Sequence, residues 1–290
     1  MDRGFLSPAE LRTFQGRMYY ALITLVLLVL AALVMFPFLY AFTSGLKGST
    51  EIFESGLRLL PKNPQWENYR TAWVEFRIPR LFQNSLVITT VGVALQLFVS
   101  GMAAFSLSRL KPVGSRIITM GFLITLMIPG MAYLVPLFVT LKDIPVIHIT
   151  LLNSYGGLWV VYASNAFTIF VLKSFFDRIP SEIIDSARID GATPFQVFIY
   201  IMLPLSRSIF IILSILAFMN IWKDYLLPLL VIQNNPEAQP ITVRLFYLAD
   251  DYGVNLQMAA AFMALLPPLI VAIVLQRYLK EGLTIGGVKG

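Results

Sequence analysis

Five long stretches of this chain carry no Asp, Glu, Lys or Arg: residues 18–46, 81–108, 117–141, 144–172 and 252–276. A helix rising 1.5 Å per residue needs about 20 mostly apolar residues to cross roughly 30 Å of hydrocarbon. Each stretch meets that length. A sixth, from Ser208 to Ile232, is interrupted only by Lys223 and Asp224. The pattern predicts six transmembrane helices, at 19–43, 82–106, 117–141, 153–173, 207–230 and 256–276. The runs are continuously apolar. A membrane β-barrel would alternate in segments of about 10 residues. The first run is longer than the usual 7–15-residue core of a signal peptide, and Phe36-Pro37-Phe38-Leu39-Tyr40 is no small-residue cleavage site.

Composition sharpens this. Of 290 residues, 57% are hydrophobic and 13% charged, against about 25% charged in soluble domains. There is no cysteine and one histidine, His148. Disulfides, Cys-based zinc sites and His-cluster metal sites are excluded, and no metal ligand set is predicted. The net charge of +6 lies mostly on the flanks of the apolar runs. It reads as attraction to anionic lipid, not nucleic acid. In the short loops, Lys and Arg favour the segments around 109–116 and 173–207 and both ends of the chain, which predicts cytoplasmic termini. The outer loop 47–80 carries Trp66, Tyr69, Trp73 and Phe76, as lipid-interface anchors or for contact with an external partner. Pro129, Pro136, Pro267 and Pro268 predict kinks within spans.

One cytoplasmic loop, 173–207, is long enough to be structured. Ser181, after Pro180, suits an N-cap for a helix over 182–190. Gly191 sits where a helix end needs left-handed backbone angles. Thr193-Pro194-Phe195-Gln196 has the capping-box spacing, with Pro at the first helical position. That second helix is predicted to reach Met202, with Pro204 marking the bend into the next span. The first helix pairs the small residues Ser186 and Ala187 with Glu182, Asp185 and Asp190, against one cation, Arg188. A membrane-surface helix prefers Lys and Arg. This one predicts a protein partner.

The run Asp185-Ser186-Ala187-Arg188-Ile189-Asp190-Gly191-Ala192, then Phe198, then Ile201-Met202-Leu203-Pro204, resembles the EAA loop of ABC importer permeases. Asp185 stands for the usual Glu and Ser186 for the first Ala. Asn84-Ser85-Leu86, Met127-Ile128-Pro129-Gly130, Trp222-Lys223-Asp224-Tyr225 and the Gly-rich end resemble the carbohydrate branch, the maltose-type permeases, and the six spans their shorter, G-type subunit. The resemblance implies an all-α membrane protein of the type I ABC importer permease fold, with six transmembrane helices and a cytoplasmic helix-turn-helix coupling loop. It implies an N-terminal segment with one span and an outer loop (1–81), a transmembrane domain (82–277) and a cytoplasmic tail (278–290). It implies that Asp185, Ser186, Ala187, Asp190, Gly191, Ala192, Phe198 and Pro204 couple the chain to a separate ATPase dimer. The other implied partners are a second, F-like permease subunit and an extracytoplasmic sugar-binding protein. The chain has no G-x-x-x-x-G-K-[ST] loop. ATP and Mg would therefore be bound by the partner ATPase, with no cofactor and no catalysis in this chain, which would sit in a bacterial or archaeal inner membrane.

Polar residues inside spans are pathway candidates. Tyr162, Asn165, Asn220 and Trp222 are the candidates to line a sugar pathway, since amides and an aromatic platform suit hydroxyls and ring faces. Interhelical hydrogen bonding is the other reading of the same residues. Lys223-Asp224 falls near the outer surface and reads as a structural or snorkelling pair. A stand-alone secondary carrier is the alternative function; it predicts internal repeats and midplane charges, and neither is seen.

Overall fold

A computed structural model describes residues 13–54, 58–248 and 251–286, with side chains to residue 276. Every regular element among these residues is helical. In order they are α1 (Phe14–Gly45), α2 (Glu67–Glu75), α3 (Ile78–Phe105), α4 (Ser115–Thr125), α5 (Leu134–Lys142), α6 (Tyr155–Tyr162) and α7 (Ala166–Phe176). Then come α8 (Ser181–Ile189), α9 (Pro194–Val197), α10 (Leu203–Leu205), α11 (Arg207–Lys223), α12 (Leu226–Val231), α13 (Ile241–Leu248) and α14 (Val254–Gly286). The expected tail, 278–290, lies outside the described side chains, and 287–290 lie outside the described residues altogether.

The chain forms two compact units. One comprises Met1–Phe76 and Ala249–Met263. Its long helix α1 buries none of its apolar window. A helix apolar all round and unburied has hydrocarbon as its solvent. The last turn of α1 packs, through Thr43, Ser44 and Gly45. A Cβ on Gly45 would lie 2.9 Å from the Cα of Ala259 and 2.8 Å from the Tyr69 hydroxyl, so two backbones meet there because no side chain intervenes. Tyr69 donates to the Phe42 carbonyl at 2.9 Å, and Asn68 donates to the carbonyls of Gly45 and Lys47 at 3.0 and 2.9 Å. Two of the loop aromatics thus turn inward: Tyr69 joins Phe42 and Phe262, and Phe76 packs edge-on against Tyr252. Trp66 stays exposed.

The other unit, Arg77–Leu248 and Ala264–Gly290, is built around α3. Ser85, Thr89, Gly92, Gln96 and Ser100 recur every three or four residues and are all buried. This stripe faces α6, α7, α11 and α13, while Leu86, Val87, Phe98, Val99 and Met102 point outward. The helix is therefore polar inside and apolar outside, as a membrane solvent favours, with small residues allowing close approach. Gln96 donates to Thr168 at 2.9 Å, and Ser85 accepts from the Ile241 amide at 2.9 Å.

Among the described residues, three helices are long and apolar enough to cross a membrane: Phe14–Gly45, Ile78–Leu110 and Val254–Gln276. The other expected spans are interrupted. The expected kinked span at 117–141 is broken, with 103° between its halves. Pro129 excludes helical angles from Ile128, and its own ψ is 131°. Pro136 falls in the first turn of α5, where its missing N–H has no partner to lose. The span at 153–173 bends by 40° between Tyr162 and Ala166. At 207–230 the helix stops at Lys223 and restarts at Leu226. Pro267 and Pro268 lie inside the single helix α14.

Candidate functional site

The loop after α7 is a helix pair. Ser181 opens α8 as its first residue, with Pro180 before it and no side-chain cap. The helix starts one residue earlier than the Ser181 cap implies, because Pro180 has extended angles (ψ 136°) and itself takes the cap position. The other end is a full Schellman motif. Gly191 has φ +83°, its amide donates to Arg188 O at 3.0 Å, and the Ala192 amide donates to Ala187 O at 2.9 Å. Thr193 and Gln196 then form the expected reciprocal capping box.

The second helix continues past the expected Met202. Residues Phe198–Met202 form a π-helical turn, α10 carries Pro204, and the chain bends by 84° into α11 at Ser206. Pro204 lacks an amide proton and its ring crowds the carbonyl four residues back. A widened turn just before it accommodates both without ending the helix. The bend therefore falls two residues after the proline.

The inner side of the pair is a core. Ile184, Val197, Phe198 and Met202 are buried with Ala104, Phe105, Leu172, Phe176 and Leu213. Phe198 is 1% exposed, with its ring 5.7 Å from that of Phe105. A Cβ on Gly101 would sit 3.2 Å from Phe198 Cζ, so that glycine makes room for the ring. Ala187 and Ala192 are half-buried against the same cluster. The outer side presents Asp185, Ser186, Asp190 and Gly191. Asp185 lies 3.7 Å from Arg188, and Ser186 donates to its own helix at Glu182 O, 2.8 Å. The sequence reading missed Ile189, which is 86% exposed beside them. Ile189 thus adds an apolar side chain to an outer side that is otherwise acidic and small. A signal for it was there: Ile189 lies five positions from the buried Ile184, on the other side of the helix.

Below the pair, polar groups tie it to α3. Arg109 donates to the carbonyls of Phe176 and Ile179 at the end of α7, where a cation also opposes the helix dipole. Ser108 donates to Asp177 at 2.6 Å, and Lys173 donates to it at 2.8 Å. Burial alone would raise the Asp177 pKa, but the hydrogen bonds from Lys173 and Ser108 and the charges of Lys173 and Arg109 outweigh it and hold the carboxyl below its usual range.

The intramembrane candidates are arranged differently from one another. Asn165 occupies the break between α6 and α7. Its side chain caps α7 by accepting from the Thr168 amide at 2.9 Å, and its own amide donates to Ser100 at 3.3 Å. Asn220 is exposed on α11. Tyr162 donates to Asp224 at 2.8 Å. Trp222 is buried, stacks on Phe218 and donates to Ala264 O at 3.2 Å. Asp224 also caps α12 through the Leu227 amide at 3.3 Å, and its carbonyl accepts from Thr242 at 2.9 Å. Asp224 is thus held by Tyr162 and by its own helix terminus rather than by Lys223.

Residues 96–285 match the family described as binding-protein-dependent transport system inner membrane component. The chain is 32% identical over 281 residues to the arabinooligosaccharides transport system permease protein AraQ of Bacillus subtilis (strain 168), across 95% of this chain and 98% of the relative. It is also 32% identical over 275 residues to the sn-glycerol-3-phosphate transport system permease protein UgpE of Brucella suis biovar 1 (strain 1330), across 89% and 94%. A chain in the crystal structure of a bacterial ABC transporter involved in the import of the acidic polysaccharide alginate shares the fold, with TM-score 0.77, 22% identity and coverage of 95% and 99%.

Proposed function

The chain belongs to the family of binding-protein-dependent transport system inner membrane components, and from that membership we propose that it forms, with a second permease subunit, the path by which a sugar or oligosaccharide is imported under the drive of a separate ATPase. The family makes it a multi-pass membrane permease subunit and leaves no place for the stand-alone carrier. The names of its relatives support a sugar: arabinooligosaccharides, starch degradation products and lactose among them.

The observation that carries the coupling mechanism is the two-sided helix pair. Its inner side, Ile184 and Phe198, is locked into the core with α3, α7 and α11. Its outer side, Asp185, Ser186, Asp190, Gly191 and bare Ile189, offers small residues, acids and an apolar side chain. In this reading the outer side docks on the ATPase, with Ala187 and Ala192 keeping the backbone near the core and Pro204 setting the turn into α11. Movement of α8 then displaces α3 and α7 through Phe198 and Arg109. Both termini and the helix pair lie on the cytoplasmic side, α11 and α12 together make the fifth of six spans, and 82–277 form the transporting domain. An extracytoplasmic binding protein delivers the substrate; the alginate importer is known in complex with such a periplasmic protein.

For the pathway, Asn165 and Asn220 are exposed and offer amides to hydroxyls. Tyr162 and Trp222 have their polar atoms engaged and hold the wall behind them. ATP and Mg belong to the ATPase chains.

The test is reconstitution of the chain with its permease and ATPase partners in vesicles. ATP hydrolysis should rise on adding a sugar-loaded binding protein, and sugar should accumulate only with ATP. Accumulation by this chain alone without ATP would overturn the proposal.

A further inference from the structure

Three cations at or near the ends of charge-free runs are gathered by the fold around one pocket. Lys111 and Arg116 flank the turn between α3 and α4, and Lys173 lies near the end of α7. Together with Leu107, Ser115, Thr119, Met120 and Leu123 they line a surface pocket of about 370 Å³. No acidic side chain lines it. Among the described residues, Lys111 and Arg116 have no ion-pair partner, whereas Lys173 is shared with Asp177 at 2.8 Å. Arg109 is turned away onto the carbonyls of Phe176 and Ile179.

The turn is built to hold this charge in place. Lys111 has φ +46° ahead of Pro112, and its amide donates to Ser106 O at 2.8 Å, closing the π-helical turn Ser106–Leu110. Gly114 has φ +81°, and α4 starts at Ser115. Two cations therefore lie beside the start of an eleven-residue helix, at the rim of one opening. The wall away from the charges is apolar and continues into a bare face: Ile117, Met120 and Ile124 of α4 are all exposed.

We propose that this pocket binds the phosphate headgroup of an anionic phospholipid, with the acyl chains laid along Met120, Leu123 and Ile124. A phosphodiester carries the negative charge that Lys111 and Arg116 leave uncompensated, and Ser115 and Thr119 supply hydroxyl donors. The apolar wall favours a lipid over free phosphate, which has nothing to place there. Basic pockets between spans are a recurring site for such headgroups. This inference rests on the chain being membrane-embedded and is independent of the sugar or the ATPase docking.

The test uses the assembled transporter purified in mild detergent, with native mass spectrometry after titration with phosphatidylglycerol, phosphatidylcholine or inorganic phosphate. Phosphatidylglycerol should bind at least tenfold more tightly than phosphatidylcholine. A cation at an anionic surface contributes about 1 kcal/mol, or about fivefold, so Lys111→Gln with Arg116→Gln should weaken retention about 25-fold. The charge-keeping pair Lys111→Arg with Arg116→Lys should retain most of it, and so should Lys142→Gln at the far end of the next apolar run. Equal retention by the double Gln variant, or equal binding of phosphatidylcholine, would overturn the site. Displacement of the lipid by inorganic phosphate at similar concentration would overturn the assignment to lipid.

Discussion

Gly191 offers a clean perturbation, because two effects that usually mix are separated there. Its φ of +83° lies where an L side chain is strained, yet a Cβ added to it meets nothing within 4 Å. A substitution thus carries a backbone cost and no steric clash. That cost is about 1–2 kcal/mol for an ordinary residue, which lowers the population of the Schellman turn about 5- to 30-fold. A β-branched residue lies at the upper end, and Asn, which tolerates left-handed angles, at the lower end. The order Gly, Asn, Ala, Val at this position should therefore be the order of falling coupled ATP hydrolysis in vesicles, with Gly191→Val lowest by about 5- to 30-fold and membrane insertion unchanged. Gly114 is the control. Its φ is +81°, and it too has open space where a Cβ would go. Gly114→Val incurs the same local cost in the turn beside the proposed lipid pocket, outside the α8–α9 pair, so coupling should persist there when anionic lipid is in excess. Full coupling in Gly191→Val, or equal loss in Gly114→Val, would refute the assignment of the α8–α9 turn to docking.

Asp177→Asn should change how stability responds to acid. The carboxyl is held below its ordinary range, so its contribution is complete above the unfolded value of about 3.9 and is lost as pH falls through the lower folded value. Thermal midpoints measured in detergent should differ for the two proteins above about pH 4, by under about 1 kcal/mol because the side chain is 43% exposed, and converge only as pH falls through the lower folded value. Gly45→Ala forces a Cβ to 2.9 Å from the Ala259 backbone and should cost about 1–3 kcal/mol in detergent stability; an unchanged melting curve would count against that close approach. Tyr162→Phe removes the hydrogen bond to Asp224 and should destabilise by about 1.5–3 kcal/mol, whereas Tyr225→Phe should not; the thermal shift of the two variants checks this.

Charge-free length located the apolar segments, because exclusion of charge from hydrocarbon is written directly in composition. Local chemistry located the helix pair equally well. The Thr193–Gln196 capping box and the Gly191 turn depend on residues within six positions of one another, and they form as read. What escaped was anything set by partners distant in the chain. Trp222 suggested a platform, but its N–H is taken by Ala264, 42 residues away. Lys223 and Asp224 suggested a pair, but Tyr162, 62 residues back, takes the carboxylate. The break at 126–133 replaced a kink because Pro129 excludes helical angles from Ile128 and is itself extended, while Pro136 fits the first turn of the next helix. The polar stripe of α3 was present in the sequence as Ser85, Thr89, Gln96 and Ser100, yet which way it faced depended on helices not adjacent to it in sequence.

The π-helical turn at Phe198–Met202 gives the spacing within the loop a different meaning. A residue of α-helix advances the chain by about 100° around its axis. Nine residues separate Gly191 from Ile201, and the widened turn begins within the last three of them, at Phe198. Removing one residue there would shorten the loop by only about 1.5 Å but swing everything before it through more than a quarter of a circle, carrying Asp185 and Ile189 off the face they now share. The spacing is thus an azimuth more than a length, and the loop's tolerance of insertion should be periodic: poor for one residue, and restored as a whole helical turn is completed.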